Sequence, residues 1–168
     1  REFVAKLDEM LMLDSPRFEK AHRELREAYH GLEIRSAALE GRSYPPARAE
    51  LTEFLDGHVA EAVVMRDHAS EPEAPASARP RALLAPHLDP RRAGPTIARA
   101  YLELGVDQGG PLRVVVFGTG HSLFGDLFAL TRKHFETPLG KVACDTAFVD
   151  AVASQLGDSA YRSELAHR

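Results

Sequence analysis

Two histidines carry the clearest chemical potential in this sequence, because each follows a short apolar run. Ala82-Leu83-Leu84-Ala85 leads through Pro86 to His87, and Arg113 to Phe117 leads through Gly118-Thr119-Gly120 to His121. If both runs are buried strands, each histidine leaves the C-terminal end of its strand, where open α/β sheets build their ligand crevices. Neighbouring strands lie about 4.8 Å apart, so two imidazoles leaving one sheet edge can converge on a single ion or substrate. Neutral imidazole is a ligand for zinc, iron and copper, and two of them make half of a typical transition-metal site. Asp89, two residues beyond His87, is a weaker candidate: it could orient a ligand histidine or act as acid or base. The same spacing also fits two surface histidines on unrelated loops.

Other candidates point less sharply. Gly118-Thr119-Gly120-His121-Ser122-Leu123-Phe124-Gly125 follows an apolar run, as a phosphate loop would, but its glycine spacing is not G-x-G-x-x-G. Its glycines suit a sharp backbone turn beside a site instead. His134, among Arg132, Lys133 and Phe135, reads as exposed on a strand. Cys144 precedes a helix start, which lowers a thiol pKa when the group is exposed, yet no base is placed to serve it and a small buried residue is the plainer reading. Ser122 beside His121 makes no triad, since adjacent residues rarely point at one another.

The elements that would position these residues follow from periodicity and caps. Phe3, Leu7 and Leu11 recur near helical spacing, and Asp14-Ser15-Pro16 restarts the pattern into a charged second helix through Tyr29. Residues 1–32 therefore read as a helical appendage whose charged face is solvated. Ile34 to Leu39 suggests a short strand, Gly41 to Pro46 a turn, and Ala47 to Phe54 an amphipathic helix. The Pro- and Ala-rich stretch 68–80 cannot bury a core and reads as a flexible loop. Gly94-Pro95 is expected to open a helix that closes at Gly105, a strand is expected within Phe128 to Phe135, and Asp145 or Thr146 should cap a helix ending at Leu156-Gly157. Apolar strands alternating with helices predict an α/β domain over 33–168, with a mainly parallel sheet flanked by helices.

Composition narrows the functional classes. With 168 residues the chain suits one domain with an appendage. A formal net charge of −4 provides no basic face, so neither nucleic acid nor an anionic membrane is expected as a partner. No apolar run approaches the roughly 18 residues that span a bilayer. The single cysteine excludes an internal disulfide framework and fits a reducing compartment, so the expected location is cytoplasmic. No secretory signal is visible, although the first residue is Arg rather than Met.

Several blocks together resemble the Memo family, whose bacterial members are called AmmeMemoRadiSam system protein B. Arg35-Ser36-Ala37-Ala38-Leu39-Glu40-Gly41-Arg42-Ser43-Tyr44-Pro45 is similar to its opening "R-x-A-x-x-G-x-Y-P" segment. Leu84-Ala85-Pro86-His87, with Gly94-Pro95 and Ala98-Arg99-Ala100-Tyr101, resembles "P-H-A-G-Y-x-Y-S-G…A-x-A-Y". Val115 to His121 resembles the "G-P-S-H-H" strand end, and Glu136-Thr137-Pro138-Leu139-Gly140, followed by Asp145, resembles "E-T-P-L-G-x-x-x-x-D". The blocks stand in family order, and jointly they are more specific than any one of them.

The resemblance implies a fold like the metal-binding subunit of extradiol dioxygenases, with a metal-type pocket at strand ends. It implies that His87 and His121 are two of the pocket's metal ligands, with iron or copper expected and zinc an alternative. It also implies redox or dioxygenase-like chemistry linked to a radical-SAM system, with an AMMECR-type protein and a radical-SAM enzyme as partners. A non-catalytic binding or scaffold role in that system is the competing expectation, and metal-free hydrolysis by His87, Asp89 and His121 a third. The chain departs from the family pattern at Leu88-Asp89-Pro90, where A-G-Y is usual, and at Ser122, where a second histidine is usual. The family's "E-H-S-x-E" block would begin beyond Arg168, so residues 33–168 are expected to represent about the first half of the domain, and Cys144 does not match the family's later metal-ligand cysteine.

Overall fold

Side-chain capping places several of the helix starts. The computed structural model describes residues 1–68, 80–104, 112–123 and 126–168. Helix α1 (Glu2–Glu9) is followed by α2 (Pro16–His30), which begins where Ser15 Oγ accepts a hydrogen bond from Phe18 N at 3.3 Å and Pro16 takes the first helical turn. Helix α3 (Arg48–His68) runs well past the expected Phe54. Helix α4 (Pro90–Leu102) starts earlier than expected: Asp89 Oδ1 accepts from Arg91 N at 2.8 Å, and Gly94-Pro95 lie inside the helix rather than at its start. Asp145 Oδ1 accepts from Phe148 N at 3.0 Å to open α5 (Thr146–Leu156), which ends at Gly157 with φ 74, as the sequence predicts.

The sheet is small and mixed. Strand β1 (Ile34–Arg35) runs parallel to β2 (His134–Thr137), with Ile34 opposite His134 and Arg35 opposite Phe135. Pro138-Leu139 then turns the chain back into β3 (Gly140–Val142), giving the order β1-β2-β3. This corrects the expectation of a mainly parallel sheet. Residues 82–85 and 113–117, predicted as buried strands, take no regular structure, and Leu84 is 95% exposed while Val116 and Phe117 are 81% exposed. The reason is physical: a strand exists through hydrogen bonds to a neighbour, and no described strand pairs with either run. The expected loop at 68–80 lies outside the described residues except at its ends, His68 and Pro80. No helix among the described residues is long and apolar enough to cross a membrane.

The chain divides into two compact units: residues 1–36, 120–135 and 142–168 form the first, and 37–119 with 136–141 the second. In the first, Tyr29, Thr131, Lys133, Ala160 and Glu164 are buried. In the second, α3 packs on α4 and buries Leu51, Ala62, Ala93 and Gly94. Pro95 removes one backbone donor from α4, and packing against α3 holds the helix across it. Gly94 is where the helices need no side chain, since a Cβ there would come within 2.2 Å of His58 Nε2. His58 is itself wedged edge-on against Phe54, with ring centroids 4.4 Å apart.

That wedge is testable. Gly94→Ala should destabilise the chain by about 1–3 kcal/mol through overpacking, read as a lower urea midpoint. In a His58→Ala background, where the obstructing ring is gone, the same substitution should lose most of its effect.

Candidate functional site

The predicted site residues fall in different parts of the molecule. His87 belongs to the second unit, on the irregular segment leading into α4, and is exposed. His121 belongs to the first unit, in a turn after residues 112–120, and is also exposed. Asp89 is the α4 cap, and the hydrogen bond from Arg91 N holds its carboxyl below the usual carboxylate range. Two imidazoles supply half of a four-ligand set, and no group of three or more His, Cys, Asp or Glu side chains among the described residues could hold a metal ion. The described donors therefore do not complete a metal site. The glycine-rich stretch considered for phosphate falls partly outside the described residues, at Phe124 and Gly125.

A different cluster is assembled tightly within the first unit. Glu164, on a 3₁₀ turn (Glu164–His167), is 4% exposed, as is Lys133. Lys133 Nζ lies 3.2 Å from Glu164 Oε1, and Thr131 Oγ1 donates to the same oxygen at 2.7 Å. His30 Nδ1 lies 2.6 Å from the other oxygen, Oε2. Lys133 also donates to the His30 carbonyl at 3.3 Å and stands 4.8 Å from the Tyr29 ring centroid. Both buried charges thus have several partners, which is the condition under which a buried ion pair is tolerated. Burial pushes the Tyr29 phenol above its ordinary value, with Arg35 opposing and Glu164 reinforcing the shift.

An open pocket of about 640 Å³ lies over this cluster, lined by His30, Glu33, Arg132, His134, Thr146 and Tyr161 among others. His134 is half-buried rather than exposed, and its Nδ1 accepts a hydrogen bond from Cys144 N at 2.9 Å. Cys144 is likewise half-buried; burial, then Asp145, pushes its thiol up, so it is not an activated nucleophile. Sequence reasoning missed Lys133 and Glu164 because charged side chains ordinarily read as surface. The burial of Thr131 and Lys133 on either side of exposed Arg132 emerges only in the structure, and their shared partner Glu164 is 33 residues away from Thr131.

A family model described as Memo-like protein matches residues 35–167. The chain belongs to the Memo family. A relative from Methanopyrus kandleri, a MEMO1 family protein, is 29% identical over 124 residues, covering 73% of this chain and 43% of its own length. The chain therefore spans less than half the length of the curated relative it matches. No solved structure matches it. The Memo-like blocks have local physical roles. In the E-T-P-L-G block, Thr137 Oγ1 donates to the Gly140 carbonyl at 2.8 Å and accepts from Leu139 N at 3.2 Å, and Gly140 adopts φ 132, which favours glycine. Arg48 Nη1 holds the same turn through the Leu139 carbonyl at 3.1 Å. In the G-x-Y-P block, Gly41 at φ 72 donates its N–H to the Tyr44 carbonyl at 2.8 Å.

Two measurements probe the buried cluster. Glu164→Ala leaves Lys133 buried without its carboxylate and should lower stability by roughly 3–5 kcal/mol; Glu164→Ala with Lys133→Met should recover much of that loss in urea melts. Because the folded Tyr29 pKa is raised, its contribution to stability is complete below the ordinary phenol value near 10 and declines as pH rises through the folded value. Urea midpoints measured from about pH 8 to about pH 11 should therefore fall, and fall less steeply in Tyr29→Phe.

Proposed function

We propose that this Memo-family chain is part of a metal-binding protein in which His87 and His121 are two ligands of a pocket at the ends of extended apolar segments. The reading extends to a fold related to the metal-binding subunit of extradiol dioxygenases, and to redox or dioxygenase-like chemistry with iron or copper, zinc being the alternative ion. Its partners in this reading are an AMMECR-type protein and a radical-SAM enzyme, in the cytoplasm. The observation that supports it best is the joint occurrence of Pro86-His87 and Gly118-Thr119-Gly120-His121 inside the region matching the Memo-like model. Both imidazoles are exposed at the ends of irregular, apolar segments, a placement compatible with ligands that gather when those segments acquire strand partners.

A second reading is a non-catalytic scaffold. It is favoured by the exposure of Leu112, Val114, Val116 and Phe117, an apolar strip of the kind that marks interaction surfaces.

Elemental analysis separates the two. The chain, and a longer form extended to the length of its relative, would be purified without a metal-affinity tag and examined by plasma mass spectrometry. Stoichiometric iron or copper in the longer form, lost in His87→Ala with His121→Ala, is the expected result. Metal content unchanged by the double substitution would overturn the ligand assignment. Absence of metal, with partner proteins still co-purifying after the double substitution, would establish the scaffold instead.

A further inference from the structure

Two histidines that line the pocket of the first unit make opposite ring hydrogen bonds, which in the neutral form set opposite tautomers. Cys144 N–H donates to His134 Nδ1 at 2.9 Å. That nitrogen must offer its lone pair, so the proton of the neutral ring resides on Nε2, and His134 presents a donor there. His30 is reversed. Its Nδ1 lies 2.6 Å from Glu164 Oε2, and Glu164 is the carboxylate partner of the buried Lys133 ammonium at 3.2 Å. A carboxylate only accepts, so Nδ1 carries the proton and Nε2 of the neutral ring is an acceptor. Both residues line the same pocket.

The charges around them point to an uncharged ligand. Arg132 is paired with Asp150 at 3.3 Å, and Tyr161 donates to the same carboxylate at 3.2 Å. Lys133 is paired with Glu164, and Glu33 adds a further carboxylate to the lining. The cations in the wall are therefore already neutralised, and a bare anion entering the pocket would meet Glu33 without a matching positive charge. A molecule that offers an acceptor and a donor side by side, and that carries no charge, matches one Nε2–H and one Nε2 lone pair. Leu32 adds an apolar contact in the same lining.

We propose that this pocket binds a small primary amide carried on an apolar or aromatic body, its carbonyl accepting from His134 Nε2 and its N–H donating to His30 Nε2. The assignment involves neither His87 nor His121, so it stands or falls independently of metal binding.

Ring-nitrogen NMR of the histidine-labelled chain, at about pH 8 where ordinary imidazoles are neutral, tests the proposal with nicotinamide as probe and nicotinate as the charged control. The expected result is an Nε2–H tautomer for His134, an Nδ1–H tautomer for His30, and saturable shifts of both rings by nicotinamide. Nicotinate, which replaces the donor with a second acceptor, should bind roughly fivefold more weakly or worse. His30→Asn, whose amide can still donate to Glu164 but lacks the distal ring nitrogen, should weaken nicotinamide binding by a similar factor. Should that variant not fold, the tautomers and titrations of the unsubstituted chain decide alone. Matching tautomers in the two rings, no shift of either with nicotinamide, or equal binding of nicotinate would each overturn the proposal.

Discussion

The ion pair between Lys133 and Glu164 is the constraint on which the first unit is organised. Both side chains are almost fully removed from water, and two such charges persist in a protein interior only when every remaining donor and acceptor is answered. The answering groups come from distant parts of the chain: Thr131 from the approach to β2, His30 and Tyr29 from the end of α2, and Glu164 itself from the C-terminal turn. Removing one partner would leave a buried charge, so these segments are held together by a shared electrostatic requirement as well as by apolar contact. Nearby, His167 accepts at its carbonyl from Arg35, and Leu130 N donates to the Ala160 carbonyl at 3.1 Å, so the C-terminal turn is tied at several points.

The second unit rests on a steric constraint instead. Helices α3 and α4 approach closely at Gly94, where the His58 ring occupies the space a side chain would need. Here the helix carries both a glycine and a proline in its interior, residues that ordinarily weaken helices. Tertiary packing overrides that local preference. The same unit holds the two turns that give the Memo-like blocks their recognisable residues, Gly41 and Gly140 at positive φ, with side-chain hydrogen bonds closing the second turn.

His87 and His121 share a motif pattern without sharing a unit. Their motifs sit at the ends of the two runs that the sequence marks as buried strands and that take no regular structure in this chain. Apolar composition states that a segment should be covered; it does not supply the strand that would cover it. The chain spans 43% of the curated relative's length.

What the sequence alone determined was local and chemical. The pairs Asp14-Ser15 and Asp145-Thr146 marked the starts of α2 and α5, with Ser15 and Asp145 serving as the caps, Gly157 marked the end of α5, and the ordered blocks from Arg35 onward specified the Memo family. Caps and tight turns are legible because their hydrogen bonds close within a few residues. The length of α3, the small mixed sheet and the pairing of Lys133 with Glu164 were decided only by tertiary structure. Each of those depends on groups far apart in the chain, and whether a charge is buried or a strand is paired is a property of the neighbour it meets rather than of the residue itself.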